Sequence, residues 1–270
     1  MALFANERYT QLARERAQQY ATASPFPHAV FDDFLPAPLL DEVVAEFPGP
    51  RQIDWRIFDR HHSFKRATRN LDQLGPRTVA LLHECNAEPC LRFLAALTGI
   101  PNLISDPYYA GGGLHEIDPG GFLKVHADFN THPSLGLARR LNLIIYLNRD
   151  WNEVWGGALE LWDPSMTRAV VRVAPLFNRC VIFSTTSTAY HGHPDPLACP
   201  PGRTRRSVAL YYYTNGRPEP EGAQAHGTLW QERPQQVSPL RRVCGMLLRN
   251  LGSALERPAA ALRRVGERWR

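Results

Sequence analysis

Two histidines, an aspartate and a downstream arginine are the residues of this chain whose types and order could do chemistry. His126-Ala127-Asp128 is followed 65 positions later by His191, and then by Arg205-Arg206-Ser207. Two imidazoles and one carboxylate form the facial ligand set that holds non-haem Fe(II) and leaves the opposite coordination face open for substrates and O2. An arginine and a serine beyond the second histidine would supply a socket for a carboxylate co-substrate.

The first two candidate ligands lie at the end of a predicted strand. His126 and Asp128 follow the segment 122–125, which comes after the turn 118–121. Residues i and i+2 of a strand face the same side, so both side chains can converge on one metal ion. The third ligand must come from a strand that is distant in sequence, and His191 follows the predicted strand 179–184. We therefore predict a metal site at His126, Asp128 and His191.

A second His-x-Asp triplet shows that this pattern is weak without its context. His193-Pro194-Asp195 lies in a segment whose prolines predict a turn, with only His226 further downstream. His193 is nevertheless a rival to His191 as the third ligand. A further alternative is that His191 is a turn histidine that stabilises its own loop.

The arginines lie on an alternating segment. On a strand over 204–213, Arg205 would share one face with Ser207 and Tyr211, and Arg206 the other face with Val208 and Leu210. An inward-pointing guanidinium at Arg205 would bind a carboxylate through two parallel hydrogen bonds. Which arginine grips the carboxylate depends on the strand register, and an edge-strand arginine in solvent is the alternative.

The elements that must position these residues divide the chain into four segments. Residues 1–100 are predicted as helices and a strand that pack on the core, 101–214 as the catalytic β core, 215–238 as a linker and 239–270 as a basic helical tail. The N-terminal segment has helical patterns over 6–22, 38–47 and 75–98, the last broken near Pro89, and a strand after Pro27.

From residue 103 onward, short β segments alternate with glycine and proline turns. The predicted strands cover 103–110, 122–128, 140–147, 157–162, 168–174, 179–184 and 204–213. This number and spacing favour a mainly β fold with flanking helices (α+β), a double-stranded β-helix or jelly roll.

Composition bounds the class of protein. The chain has 270 residues, of which 44% are hydrophobic, enough for a substantial core. It shows no apolar signal segment and no run long enough to span a membrane. The five cysteines are odd in number and lack paired metal spacing, which predicts free thiols, a reducing compartment and a cytoplasmic location.

The charge is concentrated at the end of the chain. Residues 239–270 carry eight arginines and two glutamates, so the remaining 238 residues are almost neutral although the chain has a net charge of +5. Leu240, Val243, Leu247, Leu251 and Leu255 follow a helical apolar stripe. The tail is therefore predicted to pack on the body or on a dimer partner, or to lie on the inner face of a membrane as a peripheral contact with anionic lipid.

Taken together, five short segments of the predicted β core resemble the 2-oxoglutarate and Fe(II)-dependent dioxygenases, in particular their prolyl-4-hydroxylase-like branch. The matching segments are 119–128, 143–151, 156–162, 190–192 and 205–211, in the order in which the family has them. The resemblance spans about residues 108–214. It departs from the family at Ile117-Asp118, where members often carry an aromatic residue before the Pro-Gly-Gly turn.

The resemblance implies roles for several residues. Fe(II) would bind His126, Asp128 and His191, and 2-oxoglutarate would chelate the iron and place its far carboxylate on Arg205. Ser207 and Tyr146 match family positions that help to hold that carboxylate. O2 would be the oxidant, and L-ascorbate would support turnover.

The resemblance also indicates the reaction. The implied products beside a hydroxylated C–H are succinate and CO2. Related halogenases lack the carboxylate, so Asp128 favours hydroxylation. The base-demethylating branch carries a second arginine where this chain has Tyr211, so no nucleic acid is expected as partner.

The substrate is predicted as a small molecule or as a group linked to a carrier, peptide or lipid. Residues 129–140 are a candidate lid, and Arg139, Arg140, Trp151 and Trp155 are candidate entrance residues, with a solvated loop and packing tryptophans as the alternative. Two other functions remain open: a non-catalytic, cupin-like metal-binding module, and a membrane-associated adaptor that uses the β domain as a scaffold.

Overall fold

The computed structural model of the chain describes residues 3–218 and 224–234. The predictions for residues 239–270, including the amphipathic tail, its dimer or membrane contact and Cys244, lie outside the described residues. Cys85, Cys90, Cys180 and Cys199 are free and buried. No helix in the described ranges is long and apolar enough to cross a membrane.

Four helices lie in the N-terminal part of the chain. They are α1 (Glu7–Thr22), α2 (Ala37–Ala45), α3 (Pro76–Asn86) and α4 (Glu88–Thr98), with strand β1 (His28–Phe31) between the first two. The Asn6 side chain accepts a hydrogen bond from the backbone of Arg8 and caps α1. Gly99 ends α4 in the left-handed conformation, with φ of 71°. These helices confirm the predicted ones, with the break before Pro89 falling at Ala87.

The remaining strands form one antiparallel sheet that curls into a nearly closed barrel. They are β2 (Trp55–Arg60), β3 (Ser63–Thr68), β4 (Ile104–Ser105), β5 (Gly113–Ile117), β6 (Leu123–Ala127), β7 (Ala138–Tyr146), β8 (Leu159–Trp162), β9 (Ala169–Val173), β10 (Cys180–Ser184), β11 (His191–His193), β12 (Arg205–Thr214) and β13 (Leu229–Trp230). The main path runs β1-β10-β7-β12-β5-β3-β6-β11-β8-β9. The predicted double-stranded β-helix is confirmed.

The central strands β7 and β12 are buried on both faces. Leu141, Leu143 and Ile145 of β7 pack in the main core with the helices, together with Val208 and Leu210 of β12. The intervening residues face the inside of the barrel, because side chains alternate along a strand. This double burial explains why residues 141–147 are mostly apolar.

The sequence prediction missed the hairpin β2–β3 and strand β5, as well as the short strands β11 and β13. The hairpin β2–β3 adds the N-terminal segment to the sheet, since β3 pairs with both β5 and β6. Strand β5 contains two buried polar residues, His115 and Glu116, so it lacks an apolar pattern. Conversely, only Ile104–Ser105 of the predicted strand 103–110 is a strand.

Part of the predicted linker is ordered against the barrel. Leu229 pairs with Ala127 and Trp230 with His126, and the backbone of Gln231 donates to the carbonyl of Val125. Strand β13 was not predicted, because it has only two residues and lies in a segment rich in Gly, Pro and Gln, where so short an alternating pattern cannot be recognised.

Candidate active site

The three predicted metal ligands lie together inside the barrel. His126 of β6 stands directly opposite His191 of β11 in the register of the two strands, and Asp128 follows β6. One ligand atom from each residue lies within 4.8 Å of the others. Both histidines are about 5% exposed. The pairing of two strands that are far apart in sequence therefore assembles the group as predicted.

The backbone fixes both imidazoles with Nε2 toward the centre of the group. The Nδ1–H of His126 donates to the Lys124 carbonyl at 2.8 Å, and that of His191 donates to the Ala189 carbonyl at 2.9 Å. This tautomer leaves an Nε2 lone pair on each ring for a metal ion. Burial, together with the neighbouring His191, lowers the pKa of His126.

The carboxylate of Asp128 is held by two donors on one oxygen. Its Oδ2 accepts from Arg139 at 3.0 Å and from Asn142 at 2.7 Å. Burial alone would raise the pKa of Asp128, but the Arg139 guanidinium and the two imidazoles lower it well below its ordinary value. The carboxylate is thus ionised, and Oδ1 remains available for a metal ion.

Arg139 is therefore not at the entrance, where the sequence placed it. Its side chain is 1% exposed and stacks on the rings of Tyr211, at 3.6 Å, and Phe129, at 4.4 Å. It also donates to Asn142. By simple alternation Arg139 would face the helices, as Leu141 does. The pairing of β7 with β12 shifts register between Tyr212 and Tyr213, and this irregularity reverses the alternation, so that Arg139 points into the barrel.

Arg205 lies inside the barrel as predicted, and Arg206 lies outside it. The guanidinium of Arg205 donates to the Gly157 carbonyl at 2.8 Å and to the Tyr146 hydroxyl at 3.2 Å. It has no carboxylate partner among the described residues, although it is only 5% exposed. Arg206 instead pairs with Glu116 at 3.0 Å. Because of this register, Arg205 is the candidate residue for binding an anion inside the barrel.

One small inner cavity joins the metal group to the arginine. Its volume is about 70 Å³, and it is lined by His126, Asp128, His191, Arg205 and Ser207 among others. Ser207 pairs with Tyr146 across β12 and β7. Burial raises the pKa of Tyr146, so this residue keeps its proton and can donate.

His193 lies on β11 and not in the predicted turn. It is 3% exposed, lines the inner cavity, and both of its ring nitrogens lack a hydrogen-bond partner among the described residues. Burial lowers the pKa of His193 well below its ordinary value, so the ring is neutral. The metal-binding group found in the described residues contains His191 and not His193.

Sequence reasoning missed three polar residues of the inner cavity, namely Lys65, His115 and Asn142, the last of which donates to Asp128. Lys65 comes from β3, and His115 from β5, where its ring nitrogen contacts the Gly111 carbonyl at 2.9 Å. One available signal was composition, since Lys65 is one of only two lysines among 31 basic residues. A second signal was the period-two alternation of residues along β2 and β3, but polar residues obscured this pattern.

A larger outer cavity of about 640 Å³ lies beside the inner one. Phe129 and His132 line it, as do His226 and Gly227 from the predicted linker. The two cavities share a wall at Gly111, whose carbonyl contacts His115 and the Tyr211 hydroxyl. The candidate lid 129–140 therefore provides part of the wall of this cavity.

The linker segment also covers a metal ligand. The Trp230 ring lies 4.9 Å from the His126 ring and stacks on His62 at 4.7 Å. The side chains of Trp151 and Trp155, by contrast, contact each other and form a small cluster with Leu197. Their packing role, the alternative interpretation of the sequence, describes them better than an entrance role does.

The fold is shared with solved structures of oxygenases. A prolyl-4-hydroxylase from Pseudomonas putida is 18% identical, with a TM-score of 0.55 over 76% of this chain and 100% of that chain. A prolyl hydroxylase from Trichoplax adhaerens, solved with a hypoxia inducible factor peptide, is 16% identical, with a TM-score of 0.56 over 77% and 91%. HygX from Streptomyces hygroscopicus, solved with nickel, 2-oxoglutarate and hygromycin B, is 12% identical, with a TM-score of 0.52 over 81% and 97%.

The sequence itself matches a family over the region that contains the site. No curated protein matches the chain. Residues 112–213, however, match the profile of the 2OG-Fe(II) oxygenase superfamily, and this range holds all three predicted metal ligands, Arg205 and Ser207. Residues 112–213 of the chain are therefore similar to the 2OG-Fe(II) oxygenase superfamily, and the chain has the fold of solved prolyl 4-hydroxylases.

Proposed function

We propose that this chain is a 2-oxoglutarate-dependent dioxygenase, which hydroxylates an unactivated C–H bond of a small molecule or of a tethered group and releases succinate and CO2. The observation that carries the proposal is the inner cavity. It connects a buried His-Asp-His group with a buried arginine that has no carboxylate partner within the described residues. A dicarboxylate that binds a metal ion at one end and Arg205 at the other would satisfy both.

His126, Asp128 and His191 would hold Fe(II), and the donor set fits this ion. Two neutral imidazoles and one ionised carboxylate, with no thiolate nearby, are the ligands of non-haem iron oxygenases. When bound, the iron supplies the activation of O2 and the oxidising power. The nickel ion in HygX is consistent with a divalent metal in this fold.

The protein's own residues would orient the reactants. Arg139 and Asn142 hold Asp128 so that one of its oxygens faces the metal. Arg205, Tyr146 and Ser207 would bind the far carboxylate of 2-oxoglutarate, because charge-assisted hydrogen bonds to a guanidinium are strong inside a protein. Trp230 and Phe129 exclude water from the two sides of the ligand group.

The primary substrate would enter through the outer cavity. A volume of about 640 Å³ is in the range of small-molecule sites. The T. adhaerens enzyme was solved with a peptide and HygX with hygromycin B, so proteins of this fold bind both a peptide and a small molecule. We further propose that ascorbate supports turnover.

Succinate formation tests this function. Protein loaded anaerobically with Fe(II) and 2-oxoglutarate is exposed to O2, with and without metabolite extract. We expect slow succinate formation alone and faster formation with a substrate in the extract. Arg205→Met should weaken 2-oxoglutarate binding by about 100-fold, and Arg206→Gln by less than about twofold. A non-catalytic, cupin-like module would bind metal but form no succinate under any condition.

The tail is tested separately from the site. Deleting residues 239–270 should abolish co-sedimentation with anionic liposomes if the tail is a membrane contact. Unchanged binding after the deletion would contradict that proposal, and it would also contradict the adaptor function. Succinate formation by the deleted protein would show that the tail is not needed for chemistry.

A further inference from the structure

One face of the hairpin β2–β3 connects the inner and the outer cavity. Arg56 pairs with Ala67 and Phe58 with Lys65 in the antiparallel register, so these four side chains share one face. Ala67 is buried, Lys65 lines the inner cavity, and Arg56 lines the outer cavity. A ligand that extends between the cavities would therefore pass along this face.

Two cations on this face, Lys65 and the solvent-exposed Arg56, form no ion pair within the described part of the chain, although the carboxylate of Asp128 acts on the charge of Lys65 through space. The ammonium of Lys65 lies 5.2 Å from the centre of the Phe58 ring, and the guanidinium of Arg56 lies 4.9 Å from it. Neither forms an ion pair or hydrogen bond with a described residue. A cation–π contact stabilises a cation less than an ion pair with a buried carboxylate would.

The co-substrate does not account for Lys65. The charge of Asp128 is matched by Arg139, and the two carboxylates of 2-oxoglutarate would be matched by the metal ion and by Arg205. The outer cavity adds Arg56, His132 and His226 to its lining, but no aspartate or glutamate. A positive charge near the site thus remains after the metal ion and the co-substrate are bound.

We propose that the primary substrate is an anionic small molecule whose carboxylate or phosphate binds between Lys65 and Arg56, over the face of Phe58. The apolar part of the substrate would lie in the outer cavity against Phe129, the residue that follows Asp128. This inference rests on the proposed function, and it assigns to that site a substrate class and two specificity residues. Burial, with the nearby arginines, lowers the pKa of Lys65 to about 8, even though the Asp128 carboxylate acts in the opposite direction.

Matched probes test the proposal without turnover. Phenylacetate, phenyl phosphate and the neutral phenylacetamide are titrated calorimetrically into protein loaded with Mn(II) and 2-oxoglutarate. We expect at least one of the two acids to bind about tenfold more tightly than the amide, and the tighter acid tells carboxylate from phosphate substrates. Lys65→Met and Arg56→Gln should remove this preference, whereas the exposed Arg51→Gln should keep it.

The 2-oxoglutarate affinity separates this proposal from the proposed function. If Lys65→Met weakens 2-oxoglutarate binding about tenfold and leaves the preference for acids intact, Lys65 belongs to the co-substrate site and the proposal is wrong. The proposed function fails on different results, namely no succinate formation and no effect of Arg205→Met on 2-oxoglutarate binding. Lys65→Arg should preserve the preference, because the arginine keeps the charge.

The unmutated protein provides a second readout, because the chain has only two lysines, Lys65 and Lys124. Reductive methylation with ¹³C-formaldehyde labels both lysine amines as well as a free α-amine, and the Lys65 and Lys124 signals are assigned with Lys65→Met and Lys124→Met. An acidic probe should shift the Lys65 signal and leave the Lys124 signal in place, and phenylacetamide should shift neither. An acid that shifts neither signal would overturn the proposal even where a variant fails to fold.

Discussion

Arg139 and Asp128 form an ion pair of 3.0 Å inside the barrel, and both donors to Asp128 bind the same oxygen, Oδ2. The guanidinium is itself held between the rings of Tyr211 and Phe129. The carboxylate therefore has one orientation before any metal ion arrives. Outer groups of this kind contribute to metal affinity by fixing the ligand.

Replacing Arg139 should therefore weaken metal binding. We expect Arg139→Met to lower the affinity for Mn(II) by about 10- to 100-fold, measured by calorimetric titration. The control is Arg149→Met, because Arg149 forms its ion pair with Asp41 on the surface. Equal affinities in the two variants, both verified as folded by circular dichroism, would show that Arg139 has only a packing role.

Gly192 separates the two histidines of β11 and has no room for a side chain. A Cβ at this position would lie 2.8 Å from the backbone carbonyl oxygens of Leu123 and Lys124. Gly192→Ala should therefore push β11 away from β6, the strand that places His126 opposite His191. We expect a loss of about 1–3 kcal/mol in the free energy of unfolding, together with weaker metal binding.

The control for this change is Gly227→Ala, since a Cβ at Gly227 would meet no atom within 4 Å. Urea unfolding measures the stability, and Mn(II) titration measures the metal affinity. If Gly192→Ala matched the control in both measurements, the close approach of the two strands would not matter for the site.

The sequence alone was sufficient to predict the site residues that lie on strands with an alternating pattern or on strands that are bounded by glycine turns. It predicted that Arg205 and Ser207 share a face, because both lie on β12 and residues two positions apart on a strand point to the same side. It was insufficient for Lys65, because pairing between β3 and β5 joins segments about 50 positions apart and leaves no periodic trace in either. Strand β5 was missed for a similar reason. Its residue Glu116 is buried and paired with Arg66 and Arg206, but in the sequence a glutamate resembles a loop residue.

The register of β11 also explains why the sequence left two candidates for the third ligand. His191 and His193 are two positions apart and both buried, so period-two alternation could not separate them. The irregular pairing between these residues and β6 does separate them, because it aligns only His191 with His126. We therefore expect His191→Ala to abolish Mn(II) binding and His193→Ala to change the affinity by less than about twofold.

Both alanine variants are compared with the unmutated protein by metal titration after chelator treatment, and their helix and strand content is checked by circular dichroism. Loss of metal in His193→Ala with retention in His191→Ala would reverse the ligand assignment. The assignment of Asp128 as the carboxylate ligand would then have to be reconsidered as well, because its Oδ2 atom lies 3.4 Å from Nε2 of His191.

Lys65 should make the binding of an acidic substrate depend on pH. Burial lowers the pKa of its ammonium from 10.5 to about 8, so the charge is present below pH 8 and is lost as the pH rises above it. The carboxylate of phenylacetate stays ionised throughout this range. The affinity of the protein loaded with Mn(II) and 2-oxoglutarate for phenylacetate should therefore fall about tenfold between pH 7 and pH 9.

The neighbouring charges do not titrate in this interval. Asp128 has a pKa well below its ordinary value, and burial holds the pKa of His115 well below 6.5. Lys65→Arg should bind phenylacetate with little change between pH 7 and pH 9, because arginine stays charged, and Lys65→Met should bind weakly at both values. A tenfold fall that persists in Lys65→Met would assign the titration to another group and remove Lys65 from the substrate site.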